Sequence, residues 1–112
     1  MNIIYSKKHF NIYRVGKNAF IVHNKHKNFK YGHTHINNYN TAKWIINLSI
    51  NNTIPNRASI YILDSIIRIS DNKNYINEIE NIIRNLKASH LNNYNKKKGM
   101  YNNGDDRCNR KT

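Results

Sequence analysis

Phe10-Asn11-Ile12-Tyr13-Arg14-Val15-Gly16-Lys17-Asn18-Ala19-Phe20-Ile21-Val22-His23-Asn24 reads as a β-hairpin. Residues 10–15 and 19–24 are rich in β-branched and aromatic side chains, which suit a pleated, half-buried surface. Between them, Gly16-Lys17-Asn18 offers the residue types that accept the φ > 0 of a tight turn. A third extended piece is expected over residues 31–36, after the polar segment 24–30, with Gly32 permitting a bend or bulge.

Downstream the apolar period changes from two to that of a helix. Ala42, Ile45, Ile46, Ser49 and Ile50 share one face, with Trp44 and Leu48 beside it and Asn40 or Thr41 available as cap. Asn51-Asn52-Thr53-Ile54-Pro55 ends that helix. A second one follows within residues 56–70, where Ile60, Leu63, Ile66 and Ile67 form a stripe that Ile62 and Ile69 widen. So broad an apolar surface belongs to the most buried helix. A third starts at Asp71 or Asn72 and places Ile76, Ile79, Ile83 and Leu86 at helical spacing. Glu78 and Glu80 lie early in it and Arg84 and Lys87 late, as the helix dipole favours. From about residue 92 the periodicity dissolves into Asn, Lys and Gly. The expected fold is therefore one α+β domain, residues 1–91: an N-terminal antiparallel β-hairpin or small sheet packed on three α-helices. A disordered basic tail, residues 92–112, completes the chain.

The 112 residues fit a single domain, and the apolar fraction of 38% calls for an economical core. The 23 Asn, 18 Ile and 13 Lys share A/T-rich codons, so base bias accounts for much of the composition. It accounts less well for the shortage of acids, six against 19 Lys and Arg, a net charge of +13. That charge is uneven. Residues 1–40 hold Lys7, Lys8, Arg14, Lys17, Lys25, Lys27 and Lys30 with no acid, while residues 41–90 are nearly balanced. Cys108 is the sole cysteine, so neither an intrachain disulfide nor a thiolate metal cluster can form. No apolar run marks a signal peptide or a membrane span, and a cytoplasmic setting in a bacterial host is expected.

Gly32-His33-Thr34-His35-Ile36 is the sharpest local motif. On a strand, His33 and His35 face one side, a way to present two imidazoles. A metal would need a third ligand, for which His23 and His26 are near in sequence and Asp64 and Asp71 far. The expectation is no metal and no cofactor, with both histidines lining a polar surface or hydrogen-bonded locally at the sheet-to-helix junction. A metal-independent ribonuclease is a second reading, since His33 and His35 with Lys30 or Arg14 supply an acid, a base and a cation. The chain has no Gly-rich phosphate loop and no supported Ser/His/Asp set. A helix-turn-helix is disfavoured because the second helix carries the broadest apolar surface rather than a polar reading face.

Cations interleaved with aromatics suit a nucleic-acid surface better than a membrane, because phosphates attract Lys and Arg while unpaired bases stack on rings. Arg14, Lys17, Lys25, Lys27 and Lys30 are the expected phosphate contacts, and Tyr13 and Tyr31 the expected stacking residues.

Gly32-His33-Thr34-His35-Ile36, Asn40-Thr41-Ala42-Lys43, Ile54-Pro55, Ser65-Ile66-Ile67-Arg68-Ile69-Ser70 and Asp71-Asn72-Lys73 together resemble small uncharacterised proteins of phages and plasmids from low-GC Gram-positive bacteria. The resemblance covers about residues 10–87. It implies a mobile-element setting, where small proteins inhibit host defence, control replication or regulate transcription. The expected function is a non-enzymatic accessory protein that binds nucleic acid or a nucleoprotein through its N-terminal hairpin. An anti-CRISPR-like inhibitor of a host defence complex is the alternative. A charge of +13 is opposite to what DNA mimicry requires.

Overall fold

The computed structural model describes residues 2–101, with side chains described through Ser89. Four strands come first: β1 (Asn2–Lys7), β2 (Phe10–Gly16), β3 (Ala19–Asn24) and β4 (His33–Ile36). They form one antiparallel sheet in chain order, β1-β2-β3-β4. Three helices follow: α1 (Tyr39–Asn51), α2 (Ile60–Ile69) and α3 (Lys73–Tyr101). The fold is α+β, as the change of period at residue 39 implies. α3 continues past the end of the apolar periodicity near residue 92, and the remainder of the expected tail lies outside the described residues.

The hairpin is present, but its turn works differently from the expectation. Neither Gly16 nor Asn18 takes a positive φ; among the described residues only Lys8 and Asn52 do. A register shift between Arg14 and Gly16 absorbs the turn instead. A Cβ at Gly16 would sit 3.1 Å from that of Ala19, a tight contact that favours glycine there. β1 was not foreseen as a strand: its residues are exposed apart from half-buried Tyr5, so its only signal is weak alternation.

Each helix begins on a side chain that accepts an orphan N–H. Asn38 Oδ1 accepts from Thr41 N at 2.9 Å, Ser59 Oγ from Ile62 N at 3.2 Å and Asn72 Oδ1 from Tyr75 N at 3.1 Å. α1 ends on Asn52, left-handed at φ 52, whose N–H reaches the Leu48 and Ser49 carbonyls.

The core is two layers thick. Phe10, Ile12, Phe20, Val22 and Ile36 point from one sheet face onto Ala42, Ile45 and Ile46 of α1 and Leu63, Ile66 and Ile69 of α2. Tyr75, Ile79 and Ile83 of α3 close the cluster. Hydroxyls inside the core are mutually satisfied. Ser70 Oγ donates to the Ile66 carbonyl at 2.6 Å, so Ser49 Oγ must supply the proton in its 2.8 Å bond to Ser70. Thr34 Oγ1 donates to Ser65 Oγ at 2.9 Å, pinning β4 to α2.

The other face of the sheet carries two rows that cross all four strands. Register pairs Ile3 with Tyr13, Tyr13 with Ile21, and Ile21 with His35. A second row runs Ser6, Asn11, His23, His33. Ile21 is buried yet lies outside the core cluster, because Tyr13 and His35 flank it on the open side. None of the helical core residues lies on this face among the described residues.

Candidate nucleic-acid interface

Antiparallel pairing brings the β1–β2 turn and the β3–β4 loop to one end of the sheet and the β2–β3 turn to the other. The seven expected contact residues therefore divide. Lys25, Lys27, Lys30 and Tyr31 stand in the β3–β4 loop. Tyr13 and Arg14 lie partway along β2, roughly 10–14 Å from that end at ~3.4 Å per residue, and Lys17 stands just past its far end, about 20 Å away or more.

The β3–β4 loop is built rather than slack. Asn28 organises it: its carbonyl accepts from Tyr31 N at 3.0 Å and Gly32 N at 2.9 Å, and its side-chain oxygen accepts from Lys30 N at 3.0 Å. Asn24 N–H donates to the Gly32 carbonyl at 2.9 Å and so closes the loop on itself. Gly32 is buried against Lys27, and a Cβ there would collide with the Lys27 Cβ. Gly32 sits at a bend, as expected, without a bulge, and serves a close approach of two chain segments.

This loop leans onto the open sheet face. Phe29 stacks on His33 with ring centroids 4.3 Å apart and meets His23 at 5.1 Å. Lys25 and Lys30 are exposed and Lys27 half-exposed. Tyr31 is 70% exposed, with Lys30 Nζ 5.6 Å from its ring centroid. Lys8, exposed at the neighbouring β1–β2 turn, joins the same end; nothing in the sequence pattern places it beside the loop, since only the sheet order does.

Toward the far end, Arg14 is on the helix side of the sheet, opposite in facing to Tyr13. Its guanidinium donates to the Gly16 and Lys17 carbonyls, each at 3.2 Å, and lies 5.9 Å from the Phe20 ring centroid. Much of its donor capacity is thereby spent on its own turn. Lys17 is exposed. Tyr13 is half-buried in the cross-sheet row, with its hydroxyl 3.4 Å from Asn11 Nδ2.

His33 and His35 do share the open face, with ring centroids 5.1 Å apart and nearly perpendicular. His33 Nδ1 is engaged by the Phe29 carbonyl at 2.5 Å, a local bond of the expected kind. His35 is exposed, and its carbonyl accepts from Tyr61 Oη at 2.5 Å. Trp44 and Tyr61 are surface residues, 41% and 52% exposed.

The only carboxylate near the loop end, among the described residues, is Asp71. It is occupied: Oδ1 accepts from Asn24 Nδ2 at 2.9 Å and Oδ2 lies 3.0 Å from His9 Nε2. The loop lysines have no carboxylate partner among the described residues. No described helix is long and apolar enough to cross a membrane. No family model, curated protein or solved structure matches the chain.

Proposed function

We propose that this protein binds single-stranded nucleic acid, without catalysing its cleavage, across the loop end and open face of the sheet. The observation that carries the reading is the ordered β3–β4 loop. It holds Lys25, Lys27 and Lys30 free of acidic partners among the described residues, beside an exposed Tyr31 and above a sheet face lined by rings. Lys8, Lys25, Lys27 and Lys30 take phosphates, displacing condensed counterions. Tyr31 stacks on an unpaired base, and Tyr13 and His35, flanking Ile21, offer a second platform. Arg14 and Lys17 contact the strand only if it runs the length of β2. Single strands are favoured over duplex because exposed rings reward bases that are out of the stack, and α2 presents a broad apolar surface rather than a polar reading face.

Fluorescence anisotropy on labelled single-stranded RNA and DNA checks this. Affinity should fall linearly in a log–log plot against salt, and the triple variant Lys25→Ala, Lys27→Ala, Lys30→Ala should flatten the slope by about 2. Tyr31→Ala should weaken binding by roughly fivefold or more at fixed salt, since stacking is worth about 1–3 kcal/mol per base. Absence of binding at low salt, or a slope unchanged in the triple variant, overturns the proposal.

A further inference from the structure

Beneath the loop, three chemistry-bearing side chains from distant parts of the chain meet. His9 comes from the β1–β2 turn, His26 from the start of the β3–β4 loop and Asp71 from the junction of α2 and α3. One ligand atom from each lies within 4.8 Å of the others. The His9 and His26 rings stack in parallel, 4.1 Å between centroids at an interplanar angle of 4°. His9 Nε2 is 3.0 Å from Asp71 Oδ2.

The cluster is held from behind. Asn24, fully buried, donates from Nδ2 to both Asp71 Oδ1 and the Ile69 carbonyl at 2.9 Å, while its Oδ1 accepts from His26 N at 2.8 Å. Lys25 N donates to the His9 carbonyl at 2.7 Å. One buried amide therefore orients the carboxylate and the backbone of one imidazole, and the next residue fixes the other. Outer partners of this kind set ligand direction in metal sites. The remaining carboxylate oxygen, Oδ2, faces the histidines.

We propose that His9, His26 and Asp71 form a zinc-binding site with one coordination position open to solvent. Two imidazoles and a carboxylate are a borderline donor set. It suits zinc, whereas calcium and magnesium require more oxygen ligands. Three protein ligands leave the fourth tetrahedral position to water. Bond lengths near 2.1 Å require each donor to move inward by less than about 1 Å, and one of the two stacked rings must rotate out of the stack so that both in-plane lone pairs meet at the ion; His26, which is exposed, has the freedom to do so. The cation would occupy the place now taken by the hydrogen bond between His9 and Asp71. It would tie the β1–β2 turn, the β3–β4 loop and the α2–α3 junction together. The site is separate from the His33/His35 pair, whose His33 Nδ1 is already engaged. It does not depend on nucleic-acid binding.

Isothermal titration of the metal-free full chain with zinc chloride near neutral pH tests the proposal. The wild type should take up one equivalent, and zinc should raise its thermal midpoint. His26→Ala removes an exposed ring and leaves the core intact; it should weaken zinc binding at least about tenfold and abolish the thermal shift. Asp71→Asn should do the same, and the double variant His33→Ala, His35→Ala should bind as the wild type does. A chain that takes up no zinc, or a His26→Ala variant that binds with unchanged affinity, overturns the assignment.

Discussion

Asn24 is the residue on which most of this architecture converges. It has no solvent exposure, and its side chain satisfies the Ile69 carbonyl, the Asp71 carboxylate and the His26 N–H at once. Removing one partner of a buried hydrogen bond costs the desolvation of the group left behind. Asn24→Ala strands the Ile69 carbonyl and frees Asp71, so urea denaturation should show a loss of about 2–3 kcal/mol. Asn24→Asp should be no milder, because it sets a second carboxylate beside the first. Sequence alone does not single this residue out. It is one of 23 asparagines, in a chain where base bias makes asparagine uninformative. Lys25 and Lys30, by contrast, are exposed, as cations in an acid-free polar stretch are expected to be.

Among the elements, the β3–β4 loop is the one whose geometry decides what the surface offers. Its backbone bonds to Asn28 and Asn24 hold three lysines and a tyrosine in one arrangement. Gly32→Ala would drive a Cβ into that of Lys27, a stem atom that cannot swing away without moving backbone. The variant should lose about 1–3 kcal/mol of stability, and amide exchange should show the Asn24 N–H, bonded to the Gly32 carbonyl, opening faster. It should also weaken nucleic-acid binding without removing any charge. The helices were easier to foresee. Ala42 with Ile45 and Ile46, Leu63 with Ile66, and Ile79 with Ile83 recur at spacings a helix brings to one face, and all are buried. β1 was harder, because an exposed edge strand has little apolar alternation to betray it.

For the molecule as a whole, Tyr75 joins α3 to the end of α1. Its ring is buried and its hydroxyl donates to the Thr53 carbonyl at 2.7 Å and the Leu48 carbonyl at 3.2 Å. Burial pushes its pKa up to about 12 from 10.0. The neutral phenol is thus favoured in the folded state, and its contribution is fully present below pH 10. It declines between pH 10 and 12, as the unfolded chain ionises first. Tyr75→Phe should cost about 1 kcal/mol at neutral pH. The wild type's advantage over that variant should fall by about 1.3 kcal/mol between pH 9 and 11, to zero or slightly below, measured by urea denaturation at each pH. Period and charge, which are properties of neighbours along the chain, determined the α+β class, the helices and the acid-free N-terminal region. Tertiary structure alone decided which cations share an end of the sheet, that the helices cover Arg14's side of the sheet and leave Tyr13's side open, and that His9, His26 and Asp71 meet. Those outcomes depend on strand order and register, which join residues far apart in sequence, and no local pattern encodes that distance.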